Sequence, residues 1–266
     1  MAKGFIVVLL VILVAWIYVG EIDRRKGKVR MSVVEYYEYW AMLAPLNVWE
    51  GYHSAKPEYA APFVPLEAFP GHVALEQNWQ VIRDEAISAM ELAAPMGTIV
   101  RHTARIGDTR WKVVMLFWYG KTYAENQAKC PRTTALLQSL PQVHAAMFSI
   151  LPPGKEIPVH RGPFRGALRY HLGLKIPRDR ANCYINVDGV NYHWEEGVGQ
   201  IFDDTYVHYV RNDTDEIRIV LFLDVERPLD SRWATWVNQA LIHSPLPAWL
   251  TILNNKQEKT QDIVQR

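Results

Sequence analysis

The chain has 266 residues, of which 49% are hydrophobic and 21% charged, a composition typical of a globular protein with room for one large domain. Its 29 basic and 28 acidic residues leave a formal net charge of +1, so no global basic field favours a nucleic acid partner. The two cysteines, Cys130 and Cys183, form neither a disulfide framework nor a zinc-ligand spacing, and they favour a reducing compartment.

An uninterrupted apolar segment lies near the start of the chain. Every residue from 5 to 19 is apolar or aromatic, and Gly4 and Gly20 extend the uncharged run to 17 residues. At about 1.5 Å per residue, this length is near the lower limit for crossing a bilayer. We interpret residues 1–20 as an uncleaved transmembrane anchor. A cleaved signal peptide is the alternative, although it usually has a more basic start and a small-x-small cleavage site.

Basic residues are unevenly distributed around this segment. Only Lys3 precedes it, whereas five basic residues follow closely: Arg24, Arg25, Lys26, Lys28 and Arg30. The positive-inside rule therefore predicts a single-pass protein whose remaining chain lies in the cytoplasm. The same cluster is also suited to contact with anionic lipid headgroups.

Residues 21–72 are expected to form a juxtamembrane helix and a connector. The helix is predicted within 31–50, with a break near Pro45, and the connector at 56–71 contains four prolines. A second, amphipathic helix is predicted at 73–92, because apolar residues recur there at steps of three and four. These apolar residues are Leu75, Trp79, Ile82, Ala86 and Met90.

Further along the chain, the pattern becomes mainly β. Residues 111–119 are a strand candidate, and residues 131–140 are a short helix that begins with Pro131. Short strand-like runs then alternate with turn signals up to Val225, and Asp188-Gly189 predicts a hairpin. This pattern predicts a sandwich or jelly roll with flanking helices. We assign the domain to residues 73–228 and an amphipathic tail to 229–266, which either contacts the membrane or packs on the domain.

Two histidines are candidate metal ligands. Ferrous oxygenases hold iron on one face and leave the other positions open, and imidazole suits this metal. His160 in PVHRGP and His208 in TYVHYV lie on separate predicted strands, which can converge in a jelly roll. Taken alone, however, each histidine is more often a surface or core residue than a ligand.

Two arginines in strand-like runs strengthen this interpretation. Arg169 and His171 are two residues apart and so point to one face of their strand. Arg218 is a cation in an otherwise apolar strand, and a buried arginine needs an anionic partner. That partner is a structural carboxylate, or a carboxylate of a dicarboxylate co-substrate; a solvated strand end is the remaining alternative.

The segment 149–228 resembles the aspartyl/asparaginyl β-hydroxylase family of 2-oxoglutarate dioxygenases. The resemblance rests on SILPPGKEIPVHRGP, LRYHLGLKIP and WEEGVGQIFDDTYVHYVRNDTDEIRIVLFLDVERP. It implies a double-stranded β-helix that uses Fe(II), 2-oxoglutarate and O₂. It also implies that His160 and His208 bind the iron, and that four residues contact 2-oxoglutarate: Ser149, Arg169, His171 and Arg218. We favour Arg218, assisted by Ser149, for the distal carboxylate. Asp203 and Asp204 match characteristic residues of the family, and we favour structural roles for them over orienting His208.

One position departs from the common iron-oxygenase pattern. A carboxylate ligand usually stands two residues after the first histidine, and here that place holds Gly162. We therefore predict an iron with two histidine ligands, completed by water or by a carboxylate from elsewhere in the chain. If the position faces the metal, Gly162→Asp is expected to raise the iron affinity.

Segments outside this block resemble the bacterial lipid A hydroxylases within the family. They include GKVR, MLAPLNV, WKVVMLFWYGK and CPRTTALLQSLPQVHAAMFSILPPG. The resemblance implies hydroxylation at C2 of a secondary acyl chain of lipid A, at the cytoplasmic face of the inner membrane. The alternatives are β-hydroxylation of Asp or Asn in a protein, a non-catalytic scaffold and a keto-acid sensor. A basic stretch is either a lipid phosphate contact or, as we favour, a solvated face: Arg101, Arg105, Arg110 and Lys112.

Overall fold

A computed structural model describes residues 2–39, 41–96 and 110–245, with the backbone alone for residues 2–4, 38 and 39. Arg101 and Arg105 of the predicted basic stretch lie outside the described residues, as does the tail after residue 245. Helices and strands are numbered below in chain order over the described ranges.

The first helix, α1 (Ala2–Arg25), is longer than the predicted anchor. It continues through a charged last turn. There, Arg24 Nε donates to the Glu21 carboxylate at 2.7 Å, and Arg24 Nη1 donates to the Met31 carbonyl. Side chains from Phe5 to Val14 are apolar and exposed. Among the described residues, Phe5–Arg25 is the one segment long and apolar enough to cross a membrane.

The predicted juxtamembrane helix is two helices, α2 (Val33–Tyr39) and α3 (Ala44–Tyr52), separated by a 3₁₀ turn at Ala41–Leu43. The break precedes Pro45, which occupies the first turn of α3, where its missing N–H leaves no hydrogen bond unmade. Both helices pack on α1, so the juxtamembrane segment is a folded part of the protein.

Two antiparallel sheets form the domain. In spatial order, the larger contains β1 (Phe63–Val64), β10 (Gly199–Phe202), β7 (Ala167–Lys175), β12 (Arg218–Glu226), β5 (Val143–Leu151), β3 (Lys112–Trp118) and β2 (Ala94–Pro95), and β4 (Lys121–Thr122) pairs with β3. The smaller contains β6 (Lys155–His160), β11 (His208–Asn212), β8 (Cys183–Val187) and β9 (Val190–Tyr192).

From β5 to β12 the chain passes back and forth between these sheets, with β8 and β9 both in the smaller sheet, which is the winding of a double-stranded β-helix and confirms the predicted jelly roll. The proline-rich connector differs from its prediction, because it adds β1 to the edge of the larger sheet, beside β10.

Five further helices complete the described fold: α4 (His72–Gln77), α5 (Trp79–Ser88), α6 (Ala124–Lys129), α7 (Pro131–Gln138) and α8 (Arg232–Ile242). The helix predicted at 73–92 is interrupted at Asn78, whose side-chain amide donates back to the Ala74 carbonyl. Leu75, Ile82 and Leu137 of these helices join a core on the outer face of the larger sheet.

Strand β7 has two distinct faces, as its alternation predicts. Its apolar residues Leu168, Tyr170, Leu172 and Leu174 belong to the outer core. Arg169 and His171 line the cavity between the two sheets. The functional side chains therefore stand on the inner face of a strand that is anchored from its outer face.

The Asp188-Gly189 turn joins β8 to β9, and both residues have positive φ, 52° and 85°. This confirms the predicted hairpin. The Asp188 carboxylate has a further role, because it accepts hydrogen bonds from the amides of Lys28 and Val29 at 2.6 and 2.8 Å. It thereby fastens the segment after α1 to the smaller sheet.

We predict that the stability of the protein depends on pH through Glu50 in α3. Its carboxylate is buried without a hydrogen-bond partner among the described residues, and burial raises its pKa to about 7. The folded chain thus keeps a proton that the unfolded chain releases above its ordinary pKa of 4.5. The stabilisation is present at low pH and is lost as the pH rises through about 7.

Glu50→Gln should therefore match the wild type near pH 4 and exceed its stability at pH 8, by at most about 3 kcal/mol. Thermal unfolding of the detergent-solubilised chain at both pH values measures this difference. Glu58→Gln, at an exposed position, is the matched control. An equal effect of Glu50→Gln at both pH values would contradict the prediction.

Candidate active site

The two candidate ligands meet where β6 ends and β11 begins. His160 and His208 are register partners across these strands, and their ring centroids are 4.1 Å apart. In each ring Nδ1 lies within hydrogen-bond distance of a backbone carbonyl, Pro158 O at 2.7 Å and Tyr206 O at 2.9 Å. A carbonyl only accepts, so Nδ1 carries the proton and Nε2 keeps a free lone pair.

Both imidazoles are in the protonation state that metal binding requires. Burial lowers the pKa of His208 to about 4, and burial together with the neighbouring His208 holds the pKa of His160 well below its ordinary value. Neutral rings with free Nε2 atoms fit a divalent transition metal such as Fe(II). The carbonyl of Tyr206 orients His208, so the alternative that Asp203 or Asp204 orients it is wrong.

No third side chain completes a metal-binding group of His, Cys, Asp or Glu within residues 2–39, 41–96 and 110–245. The space beside Gly162 explains why. A Cβ on Gly162 would lie 2.2 Å from the carboxyl carbon and both carboxylate oxygens of Asp204. The Asp204 carboxylate thus occupies the place into which a carboxylate side chain at position 162 would project.

Arg218 is the most unusual charge in the cavity. It is 1% exposed, it lies 4.9 Å above the Trp194 ring, and its Nη1 is 3.3 Å from both the carbonyl and hydroxyl oxygens of Ser149. No carboxylate in the described part of the chain pairs with it. Burial lowers its pKa to about 10, which leaves it charged at neutral pH. A buried cation of this kind suits an anionic ligand.

Other polar groups of this cavity also lack partners among the described residues. Trp111 Nε1 donates to Ser149 Oγ at 3.0 Å, but the described residues offer no partner to Trp118 Nε1, Arg218 Nε or either ring nitrogen of His171. The side chains of these residues line one cavity with His160 and His208. Buried polar atoms are almost always satisfied, so this wall fits a ligand that is rich in oxygen, such as 2-oxoglutarate.

Arg169 faces the same cavity but differs from Arg218. Its guanidinium donates to the carboxylates of Asp204 and Asp224, and Tyr119 Oη donates to Asp224 at 3.0 Å. Its charge is therefore compensated within the protein. The two arginines are thus distinguished: Arg169 has two carboxylate partners, whereas Arg218 has none in the described part of the chain.

Asp203 has the structural role favoured from the sequence. Its carboxylate accepts from Arg165 at 2.9 Å, from Arg227 at 2.8 Å and from the Thr205 amide at 3.0 Å. Lys26, which follows α1, donates to the Thr205 hydroxyl. Its ammonium group thus binds the domain, and it is not one of the basic residues available to lipid headgroups.

Several residues of this region have no counterpart in our sequence-based predictions. They are Arg161, Arg165, Trp118, Asp224 and Arg227. Arg161 directly follows His160 in the PVHRGP motif, and Asp224 and Arg227 stand in DVERP, so the motifs contain a signal for them. The pairing of each charge, however, is visible only in three dimensions.

The double-stranded β-helix thus encloses one cavity lined by two neutral imidazoles and by a guanidinium that has no carboxylate partner within residues 2–39, 41–96 and 110–245. Residues 76–228 match the family model described as aspartyl/asparaginyl beta-hydroxylase. The chain belongs to this family.

Two relatives illustrate the breadth of the family. The chain is 39% identical over 186 residues to the ornithine lipid ester-linked acyl 2-hydroxylase of Rhizobium tropici, a match covering 68% of this chain and 66% of the relative. It is 35% identical to the aspartyl/asparaginyl beta-hydroxylase of Homo sapiens, a match covering 58% of this chain and only 21% of that protein. A solved prolyl-4-hydroxylase of Pseudomonas putida is 16% identical, with a TM-score of 0.39, over 59% of this chain and 100% of that one.

The sequence alone predicts that Gly162→Asp raises the metal affinity, whereas the space around Gly162 predicts the opposite. The new side chain would collide with Asp204, so we predict that this variant loses metal affinity by about 10- to 100-fold instead of gaining it. Adding Asp204→Gly removes the collision and should restore or improve affinity. Anaerobic calorimetry with Fe(II) measures the difference, and tighter binding by Gly162→Asp alone would contradict the prediction.

Proposed function

We propose that the chain is an Fe(II)- and 2-oxoglutarate-dependent hydroxylase of a membrane lipid acyl chain. The observation that carries this proposal is the buried, uncompensated Arg218 in the cavity that also receives the free Nε2 atoms of His160 and His208. An anionic keto acid and a metal that binds nitrogen are the ligands suited to this arrangement.

Each residue has a defined task in this proposal. His160 and His208 hold Fe(II) through Nε2, Arg218 neutralises the distal carboxylate of 2-oxoglutarate, and the Ser149 hydroxyl hydrogen-bonds to it. Arg169 and His171 complete the polar wall of the cavity. The bound iron supplies O₂ activation, and the overall reaction converts substrate C–H, 2-oxoglutarate and O₂ into substrate C–OH, succinate and CO₂. The protein contributes position, charge compensation and exclusion of water.

The proposed substrate is an acyl chain of lipid A, hydroxylated at C2 of a secondary chain. The resemblance of the sequence to lipid A hydroxylases, the candidate membrane span in α1 and the lipid-modifying relative from Rhizobium tropici support it. The basic flank of α1 supports a location at the cytoplasmic face of a bacterial inner membrane. The same relative favours a second candidate, the ester-linked acyl chain of ornithine lipid, which presents the same kind of carbon beside an ester carbonyl.

We predict that bacterial cells expressing the chain add one oxygen atom to an acyl chain of lipid A, and that His160→Ala abolishes this because it removes an iron ligand. Mass spectrometry of extracted lipid A and ornithine lipid measures the change. His243→Ala, at an exposed position, should retain activity.

An added oxygen confined to ornithine lipid would select the second candidate. If both lipids are unchanged while the purified chain converts 2-oxoglutarate to succinate with a protein substrate, the lipid proposal fails and protein Asp or Asn β-hydroxylation takes its place.

We predict that Arg218→Met raises the KM for 2-oxoglutarate at least about 30-fold, which corresponds to about 2 kcal/mol for a lost buried charge pair. Its affinity for Fe(II) should remain near that of the wild type, because Arg218 contacts neither histidine that holds the metal. Succinate release at varied 2-oxoglutarate measures KM. Arg178→Met, at an exposed arginine, is the matched control. Equal KM values for both variants would assign the distal carboxylate to another residue.

A further inference from the structure

The helices after α1 lie against the apolar part of that helix. Tyr37 in α2 donates from Oη to the Ile17 carbonyl at 2.8 Å, and its ring meets Trp16 edge-on with centroids 5.5 Å apart. Ile17 and Trp16 belong to the uncharged run that ends at Gly20. A helix that packs on these residues must lie at the same depth in the membrane as the apolar run itself.

Two contacts place α2 along α1. Tyr36 Oη donates to Asp23 at 2.7 Å, at the charged end of α1. Trp16 packs against a small core formed by residues before, within and after α2: Met31, Tyr36, Ala41 and Ala44. The segment from Met31 to Ala44 therefore lies beside α1 between the levels of Asp23 and Trp16. At about 1.5 Å per residue, Trp16 lies roughly 7 Å below Glu21, the first charged residue after the run.

The outer surface of these helices exposes apolar side chains, beside the exposed Glu35 of α2. Val34 in α2 is 77% exposed, and Met42 in the turn between α2 and α3 is 49% exposed. Neither side chain gains from contact with water at these positions. A depth of about 5–10 Å is typical of helices that embed an apolar face at the boundary between headgroups and acyl chains. If α1 spans the bilayer, lipid is the natural cover for this surface.

The same helices hold the loop that follows His160. The Arg161 guanidinium, which lines the cavity, bonds to Asp23 at 3.0 Å and lies 5.3 Å from the centre of the Tyr36 ring. Asn47 in α3 donates to the Pro163 carbonyl and accepts from the Arg165 amide, at 3.1 and 2.9 Å. Contacts from α1, α2 and α3 thus reach residues directly beside an iron ligand.

We propose that α2, the Ala41–Leu43 turn and the first turn of α3 form a hairpin embedded in one leaflet, which fixes the catalytic cavity at the lipid surface. The occupant of its exposed face is phospholipid, and the surface is continuous with the candidate membrane span. An acyl chain then reaches the cavity while its lipid stays in the bilayer. The inference rests on α1 being in the membrane and is independent of the hydroxylation chemistry.

Depth-resolved spin labelling of the full chain in phospholipid nanodiscs tests this proposal. Met42→Cys and Val34→Cys are labelled with a nitroxide, as is the control Ile87→Cys, an exposed position on α5 at the outer face of the larger sheet. Both native cysteines are buried, and unmutated protein gives the background labelling. Collisions with O₂, which partitions into lipid, are compared with those of a nickel chelate, which stays in water.

We expect O₂ to be favoured over nickel at position 42, with a smaller preference at position 34, and nickel to be favoured at position 87. If the Met42→Cys variant fails to fold, the label at position 34 still tests the proposal. Preferential access of nickel to both hairpin positions would overturn the proposal. Spin–spin broadening between labels at position 42 would also overturn it, because a second copy of the chain would then cover the face. No turnover is measured, so this result is separate from any failure of the proposed lipid reaction.

Discussion

The site depends on the register between β6 and β11, which places His160 opposite His208. A slip of one residue would turn one imidazole to the other face of its strand and separate the pair. The register is fixed on both sides of β11, because β8 pairs along its full length and the irregularity beside His208 is confined to the metal-facing end. Backbone carbonyls two residues before each histidine then set the proton on Nδ1. Local β geometry therefore produces two neighbouring imidazoles with the same proton position, each set by a backbone carbonyl.

Charge compensation distinguishes Arg218 from the other charged groups in and beside the cavity. Asp203 is matched by Arg165 and Arg227, and Arg169 is matched by Asp204 and Asp224. Such pairs cost nearly as much in lost hydration as they return in attraction, so their main effect is to fix positions. Arg218 has no such partner among the described residues, and its pKa is lowered by burial where that of Arg169 is raised by its two carboxylates. This contrast supports the proposal that a dicarboxylate would meet Arg218 and not Arg169.

Much of the fold follows from the sequence, because period-two alternation and turn residues are local signals. The faces of β7, the strand at 112–118 and the Asp188-Gly189 hairpin are of this kind. The break at Asn78 and the edge strand β1 are different. The edge strand β1 pairs with β10, which is far away along the chain, so local periodicity contains no signal for it. The break at Asn78 is marked by a hydrogen bond from its side chain to the Ala74 carbonyl, which the spacing of apolar residues does not report. The convergence of His160 with His208 was anticipated through the motifs that surround them. Their spacing of 48 positions carries no distance information by itself.

The effect of Gly162 shows most clearly what a sequence motif leaves out. From the motif, the glycine is a missing ligand, and adding a carboxylate is expected to supply it. In the fold, the glycine is required for a different reason: the Asp204 carboxylate lies against its Cα, held by Arg169, while the Gly162 amide donates to the Asp204 carbonyl at 2.6 Å. The loop before β11 thus packs directly on the loop after β6, and this contact is possible because Gly162 has no side chain. Helix α1 contacts the same loop, because Arg161 forms an ion pair with Asp23 of α1. A flexible tether would only raise the local concentration of the domain near lipid, whereas this linkage also fixes the orientation of the cavity relative to α1.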